Sequence, residues 1–367
     1  MPVLSLPSVT LREATSGTGE RAFAYTKACG IIGKSFIGKR ESALEKLGSL
    51  QELDRLVFPS HAAESYHTMT GRELLEDIEE RIHSRAVRHI RSVINAFSAP
   101  SPLLVRQLRS CEYADLKTCL HHLATGKAAP PALTNLGRFR TVRFASFPNL
   151  AAMLSRTEFA FILNKIPKPI KPADLTAVEI ELDRHYYTMM AESACCNSFA
   201  DDYLYARHIL AEEIALRNCI WALRLRCYFN KGGDETAGHL INLRVSDEEG
   251  KDSFKGAYSL AVYALRSLRF PLDSRPAWNG WRWEHFLNPH NAGEHWTVDP
   301  RYFQNAASRH IYRLSLHYFR TMPFSVSSLF CFIKLKQYEE NLLISIAEGL
   351  WLGMTGKDVF AMLEVSP

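Results

Sequence analysis

The sequence lacks any long apolar run. Its most apolar stretch, residues 323–333, is about half of the roughly 18–20 residues that a membrane-spanning helix needs. The N-terminal segment, residues 1–20, also lacks the basic and then apolar pattern of a signal peptide. These absences predict a soluble cytoplasmic protein that reaches a membrane only through a partner.

The sequence also lacks a large excess of charge of either sign. Its 44 Lys and Arg residues against 39 Asp and Glu residues give a net charge of +5 over 367 residues. Domains dedicated to nucleic acids are usually strongly basic, so we expect no nucleic-acid partner. The eight cysteines form no C-x-x-C motif, and we interpret them as small buried hydrophobic residues in a reducing compartment.

Strand patterns are scarce, and alternating stretches such as residues 142–144 are too short to build a sheet. Apolar residues instead recur every three or four positions, which predicts an all-α fold class. We expect Gly232 and Gly233 to end one long helix and Pro323 to lie near the start of another. The long helices are predicted over Tyr205–Phe229, Tyr302–Met322 and Ser325–Gly353.

Loops rich in glycine and proline divide the chain into segments. The division predicts a flexible tail (1–20), a first helical lobe (21–130), a second (131–235), and a third (236–367) that includes a Trp-rich loop (271–300). A loop of that length is either functional or held in place by its aromatic residues. Similar phrases close the three lobes, with Asp115, Asn218 and Leu342 in register, which indicates an internal repeat.

One segment comes close to a phosphate-binding loop. Residues 28–35 end in Gly33, Lys34 and Ser35, as in G-x-x-x-x-G-K-[ST], but Ala28 replaces the first glycine. Such a loop follows a buried strand, whereas residues 20–27 fit a helix better. A P-loop-like nucleotide-binding protein is therefore an alternative that the sequence does not favour.

Two further patterns could carry chemistry but have simpler explanations. Three histidines, His285, His290 and His295, could bind a metal, but their spacing and their neighbours indicate a surface loop. A second pattern is an arginine face on one helix, which could bind phosphates or acidic lipid, although neighbouring carboxylates favour a solvated, ion-paired face. Its members are Arg81, Arg85, Arg88 and Arg91.

The phrases that close the lobes, together with their flanks, carry a family signature. Its matching residues are Tyr113, Leu116 and Lys117 in the first lobe, Glu179, Asp183, Tyr187, Asn218 and Arg224 in the second, and Pro323, Phe324, Lys336, Glu339 and Gly349 in the third. The pattern is altered at four polar positions, where the family usually has Asp, Glu, Asn and Arg. These positions hold Ala215, Gln337, Leu342 and Ile344.

With these motifs, residues 20–363 resemble the C-type subunits of archaeal and bacterial V/A-type rotary ATPases, whose eukaryotic vacuolar counterparts are the d-type subunits. The resemblance implies a funnel of three related helical lobes about a pseudo-threefold axis, without catalytic residues, cofactor or metal. It implies an adapter between the central-shaft subunits (D and F type) and the proteolipid subunits of the membrane rotor ring. Such an adapter passes torque for ATP-coupled proton or sodium transport.

The resemblance also implies a position on the cytoplasmic face of the membrane, with membrane contact only through the ring. The matched residues are interpreted as structural or partner-contacting. The altered polar positions leave open a divergent helical scaffold that keeps the fold and has changed its partner.

Overall fold

The computed structural model describes residues 17–60, 69–195, 201–241, 257–290, 293 and 295–363. Within these ranges the backbone forms α-helices and short 3₁₀ turns and no β-strand, so the predicted all-α fold class is confirmed. The α-helices are α1 (Thr18–Ile32), α2 (Glu41–Leu44), α3 (Leu50–Val57), α4 (Gly71–Ile94), α5 (Pro102–Leu108), α6 (Ser110–Ala124), α7 (Leu150–Leu154), α8 (Leu175–Cys195), α9 (Leu204–Phe229), α10 (Gly233–His239), α11 (Ala257–Ser267), α12 (Pro300–Thr321), α13 (Val326–Trp351) and α14 (Gly356–Leu363).

The three long helices predicted from the sequence correspond to α9, α12 and α13. Each differs from its predicted bounds by two residues or fewer at either end. Of the predicted tail, residues 1–16 lie outside the described residues, and α1 already begins at Thr18. The lobe boundaries and the pseudo-threefold funnel stay predictions.

The prediction that Gly232 and Gly233 cap the end of α9 is wrong. The helix ends at Phe229, as predicted, but its C-cap is Asn230, whose φ of +48° is left-handed. Asparagine tolerates this conformation better than most residues other than glycine, so it can serve as the C-terminal cap. Gly232 instead precedes α10 as its N-cap, with an extended backbone.

Pro323 lies near the start of α13, as predicted, but just before the first turn and not within it. The helix starts at Val326, and the N-cap is Ser325, whose hydroxyl accepts a hydrogen bond from the N–H of Ser328 at 3.0 Å. Pro323 and Phe324 therefore lie in the turn between α12 and α13, where both are exposed.

The helix α13 lies at the centre of the fold. Residues 326–336 are buried on every face, as expected of a helix surrounded by others. The helix packs against α1, α3, α4, α5, α9, α12 and α14. Its first half belongs to one hydrophobic cluster with α5, α6, α8 and α9, and its second half to another with α3, α4 and α14.

The Trp-rich loop folds onto its own hydrophobic cluster, together with the second half of α9, α11 and the start of α12. All four tryptophans are buried. Three indole N–H groups donate to backbone carbonyls: Trp278 to Pro271 at 2.9 Å, Trp281 to Tyr263 at 3.0 Å and Trp296 to Asn288 at 3.1 Å. The aromatic residues therefore hold this loop in place.

Candidate functional site

Signature residues from two different phrases meet where α6 packs against α8. The ammonium of Lys117 lies 2.6 Å from Oδ1 of Asp183, and both side chains are partly buried. Leu116 is completely buried on the same helix, in the core cluster that also contains Tyr187. The signature phrases on α6 and α8 thus join two helices that are distant in sequence.

A buried Tyr–His hydrogen bond lies in the same joint. The hydroxyl of Tyr113 is 2.7 Å from Nδ1 of His185, and Phe161 stacks on the imidazole with ring centroids 4.3 Å apart. Burial raises the pKa of Tyr113 and lowers the pKa of His185 to about 4. The phenol therefore keeps its proton and donates to a neutral imidazole.

Replacing His185 with Asn is expected to make stability less sensitive to acid. The pKa of His185 is about 4 in the fold against 6.5 for an unperturbed His. Above about pH 6.5, His185 is neutral in both the folded and the unfolded state and does not lower the free energy of unfolding. As the pH falls from 6.5 toward 4, the free energy of unfolding decreases, in total by about 3 kcal/mol. His89, whose pKa burial also lowers to about 4, contributes in the same direction.

The check is the melting temperature between pH 7.5 and 4.5. His185→Asn keeps a hydrogen-bond acceptor for Tyr113. In this variant, the decrease of the melting temperature between pH 7.5 and 4.5 should be about half of that in the wild type. An unchanged slope would show that His185 does not titrate as its burial implies. His83 should affect stability in the opposite direction, because its hydrogen bond to Glu340 raises its pKa.

Two other signature residues on α8 lie nearer the surface or the cavity described below. Glu179 pairs with His121, with Oε1 and Nε2 2.8 Å apart in a half-exposed position. The hydroxyl of Tyr187 is 3.5 Å from Oε1 of Glu213, and the guanidinium of Arg217 lies 5.9 Å from the centre of its ring. Burial raises the pKa of Tyr187, so it remains a phenol.

Asp115 and Asn218, which are aligned in the repeated phrases, make similar hydrogen bonds to the backbone. On α6, the carboxylate of Asp115 accepts from the N–H of Thr134 at 3.2 Å. On α9, Oδ1 of Asn218 accepts from the N–H of Ile241 at 2.7 Å, and its Nδ2 donates to the carbonyls of Ile241 and Leu260 at 3.0 and 3.3 Å. Each side chain thus fixes the backbone of a segment that follows its helix.

Three residues before each of the aligned positions Asp115, Asn218 and Leu342, two of the three repeated phrases have a buried carboxylate. Glu112 accepts from the N–H groups of Thr141 and Val142, both at 2.6 Å. Glu339 accepts from the N–H of Phe36 at 2.8 Å. The equivalent position in the remaining phrase, on α9, is Ala215, which has no polar side chain.

The signature residues Lys336 and Glu339 form a buried ion pair on α13. The Lys336 ammonium also lies 3.3 Å from the hydroxyl of Ser35. Burial would raise the pKa of Glu339, but Lys336, the N–H of Phe36 and Arg85 together outweigh it, so the pKa falls. The carboxylate is therefore ionised in the folded protein and balances the charge of Lys336.

This arrangement also accounts for the segment that resembles a phosphate-binding loop. Residues 28–32 form the end of α1, and no strand precedes them within the described residues. Ser35 is buried, and its hydroxyl donates to the carbonyl of Ile31 at 3.2 Å. The geometry of a phosphate loop, strand then loop then helix, is absent here, so this alternative is wrong for this segment.

The turn between α12 and α13 presents an exposed aromatic ring. Phe324 is 45% exposed and has a φ of +66°, a left-handed conformation that is strained for a residue with a Cβ. Its ring meets the edge of Tyr25, with centroids 5.3 Å apart. The neighbouring Pro323 is also exposed, so this signature pair contributes little to the core.

The signature residue Gly349 allows α13 and α14 to come close together. A Cβ at this position would lie 2.2 Å from Cγ2 of Val359, closer than any carbon contact tolerates. Replacing Gly349 with Ala should therefore push α14 away and lower stability by about 1–3 kcal/mol, the usual cost of overpacking.

Urea unfolding checks this prediction. The double variant Gly349→Ala, Val359→Ala removes the clashing methyl and should recover most of the loss, apart from the cost of the smaller side chain at 359. No loss in the single variant would contradict the close packing of these helices.

A cavity of about 280 Å³ opens between α9, α12 and α13. Arg217 and Arg224 lie on its α9 side, and both are exposed to solvent. A guanidinium nitrogen of Arg224 donates to Oε1 of Gln304 on α12 at 2.5 Å. On the α13 side, the ammonium of Lys334 lies 2.5 Å from Oε2 of Glu213.

Of the cations in this cavity, only Arg224 belongs to the family signature. Arg217 and Lys334 come from different helices, and only the fold brings them to one cavity. The sequence did contain a signal for Arg217 and Lys334, because each is a cation within an otherwise largely apolar helical stretch. Such a residue is either ion-paired or faces an opening, and sequence alone does not say which.

The remaining candidates from the sequence are the three spaced histidines, of which His290 and His295 are exposed, and the arginine face. Among the residues that the structure describes, no group of three His, Cys, Asp or Glu side chains is placed to hold a metal. His285 packs against Trp283 and Phe286 instead. On the arginine face, Arg81 pairs with Asp54 at 2.5 Å and with Asp77 at 2.6 Å.

The cysteines are also part of the packing. The seven that the structure describes are free thiols, and Cys196 lies outside the described residues. Four of them, Cys119, Cys195, Cys219 and Cys331, are buried. Burial raises the pKa of Cys119 to about 11, so it remains an unreactive thiol.

Comparison with known proteins gives two findings, beside the observation that no described helix is long and apolar enough to span a bilayer. Residues 63–253, a little over half of the chain, match the family described as "ATP synthase (C/AC39) subunit". A protein of Treponema pallidum (strain Nichols), described as "Uncharacterized protein", is 25% identical over 336 residues, which cover 90% of this chain and 92% of that protein. The chain therefore belongs to the C/AC39 family, the C/d subunits of V/A-type ATPases.

Proposed function

We propose that this protein is the non-catalytic adapter of a V/A-type rotary ATPase. It links the central-shaft subunits, of D and F type, to the proteolipid subunits of the membrane rotor ring. In this position it passes torque between ATP turnover and proton or sodium transport. It is peripheral to the membrane, on the cytoplasmic face, and its membrane contact is through the ring.

The cavity between α9, α12 and α13 is the observation that carries this proposal beyond family membership. It is open to solvent and is bordered by three of the longest helices, and a protruding partner could enter it. Its lining, part polar and part apolar, suits a contact between two separately folded proteins, whose interfaces are no more apolar than the rest of their surfaces.

A torque-bearing adapter must also be stiff. The central helix α13 packs against seven other α-helices, and buried residues run along most of its length. Close-packed interiors have low compressibility and transmit strain, so a force applied at the cavity would be carried to the opposite surface of the protein.

The exposed turn at Pro323 and Phe324 is proposed as a second partner contact. Phe324 holds its aromatic ring at the surface in a strained backbone conformation. An ordinary turn residue would serve the hydrophobic core equally well. Strained positions of this kind concentrate at functional sites. The buried signature residues, such as Asn218 and Glu339, are proposed to be structural.

Affinity purification from native membranes tests the proposed function. The tagged protein would be extracted in a mild detergent, and the co-eluting chains would be identified by mass spectrometry. Recovery of the shaft subunits together with the small ring subunit is the expected result. Recovery of the protein alone, or with unrelated soluble partners, would favour the alternative of a divergent scaffold whose partner has changed.

A further inference from the structure

We infer that the cavity between α9, α12 and α13 recognises its partner through carboxylates, so that the occupant is an acidic tip of the shaft. This inference rests on the proposed function, because it names the chemistry by which the socket would hold the shaft. It assigns the anion-binding role to Arg217 and Arg224 on α9.

The charges around the cavity are unbalanced. Its lining contains three cations, Arg217, Arg224 and Lys334, and one carboxylate, Glu213. Lys334 is already paired with that carboxylate at 2.5 Å. The two guanidinium groups at the opening are therefore in excess over the carboxylates of the lining.

The local contacts of the two arginines are weak ones for a guanidinium. Arg217 lies against the ring of Tyr187 and hydrogen-bonds to that neutral phenol, and Arg224 donates to the neutral amide of Gln304. Tyr187 and the charges of Glu213 and Asp183 raise the pKa of Arg217 against the effect of burial, so it stays charged. Each guanidinium has five N–H donors, so most of these donors remain available to an incoming group.

The position of the arginines suits recognition rather than packing. They lie about two turns apart on one face of α9, and both side chains are exposed within a concave opening. Walls of low dielectric, here including Trp221 and Ile311, concentrate the field of charges in a cleft. Arginine forks also bind carboxylates with two parallel hydrogen bonds, which fixes the orientation of the bound group.

The cavity is small, with a volume of about 280 Å³, and it opens to solvent. We therefore assign it a compact occupant, the tip of a protein segment. A tip with one or two Asp or Glu side chains would place its carboxylates against Arg217 and Arg224.

Binding of the purified D- and F-type shaft subunits to immobilised protein tests the inference. The double variant Arg217→Gln, Arg224→Gln should raise Kd by about 10–100-fold, because charge-assisted contacts in an interface are lost. The matched control is Arg72→Gln on α4, whose side chain is 77% exposed and pairs with Glu76. It should bind as the wild type does, and melting temperatures verify that all variants are folded.

Salt gives a second readout that a structural role for the arginines would not move. Binding of the wild type and of Arg72→Gln should weaken between about 50 and 300 mM NaCl, whereas the residual binding of the double variant should depend less on salt. Arg217→Lys, Arg224→Lys keeps the charge and should keep most of the salt dependence while losing the two-pronged contact.

The outcomes separate the inference from the proposed function. Equal affinity and equal salt dependence in all variants would overturn the carboxylate inference while the proposed function stands. Failure of the wild type to bind the shaft at all would overturn the proposed function and the inference with it. The last experiment is calorimetry with inorganic phosphate. Micromolar binding that requires both arginines would overturn the inference, because it would assign the cavity to a small anion.

Discussion

Replacing Glu339 with Gln is expected to lower the free energy of unfolding by about 3–5 kcal/mol. The carboxylate of Glu339 is the counter-charge of Lys336, and both side chains are almost completely buried. Gln keeps an acceptor for the N–H of Phe36 but leaves the ammonium of Lys336 without a charged partner in the interior. The urea midpoint of the variant should fall accordingly.

The control is the double variant Lys336→Met, Glu339→Gln. It removes both charges and keeps the hydrogen bond to Phe36, so it should recover most of the lost stability. If the single variant were as stable as the wild type but failed to assemble with the shaft or ring, Glu339 would be an interface residue. Equal loss in the single and double variants would show that the charge pairing itself is unimportant.

Replacing Asn218 with Leu is the other change with a large expected effect, a loss of about 2–4 kcal/mol. The amide of Asn218 makes three hydrogen bonds, to the N–H and C=O of Ile241 and to the C=O of Leu260. Leu has a similar volume but leaves these buried backbone groups without a partner, which costs about 1–3 kcal/mol for each unsatisfied group. Differential scanning calorimetry should show the drop.

Asn279→Leu is the matched control, because Asn279 is exposed in the Trp-rich loop. The same substitution there should change stability by about 0.5 kcal/mol or less. A comparable loss at both positions would mean that the leucine, and not the missing hydrogen bonds, is responsible. Unchanged stability at position 218 with lost assembly would place Asn218 in an interface.

The helices could be predicted from the sequence because apolar periodicity is a local signal. The pattern in α9, α12 and α13 extends over many turns, and no glycine or proline interrupts α9. Helix ends were less predictable, since several residues could cap each one. Asn230 adopts the left-handed conformation before the glycines are reached, and Ser325 provides the N-cap after Pro323.

The candidate site could be predicted only in part. The signature phrases identified Lys117, Asp183 and Glu339, but not which residues they contact. The ion pair between α6 and α8 joins Lys117 to a residue 66 positions away, and Glu339 binds a backbone N–H 303 positions away. Contacts of that range depend on how the helices pack, which local patterns do not encode. The cavity was not predicted for the same reason.

The residues at the four altered signature positions all make favourable local contacts in the fold. Leu342 is buried among apolar residues of α3, α4 and α14, and Ile344 packs against the same cluster. Ala215 is buried in the core. Gln337 accepts a hydrogen bond from Gln107 at 3.2 Å. The fold thus accommodates each of these four departures locally.

Electron cryo-microscopy of the rotary ATPase purified through this protein tests the central claim most directly. If the protein is the adapter, density for its helices should lie between the lower end of the shaft and the cytoplasmic loops of the ring, with the tip of the shaft against Arg217 and Arg224. Particles in which another chain occupies that position, or in which this protein lies at the periphery, would contradict the proposed adapter role.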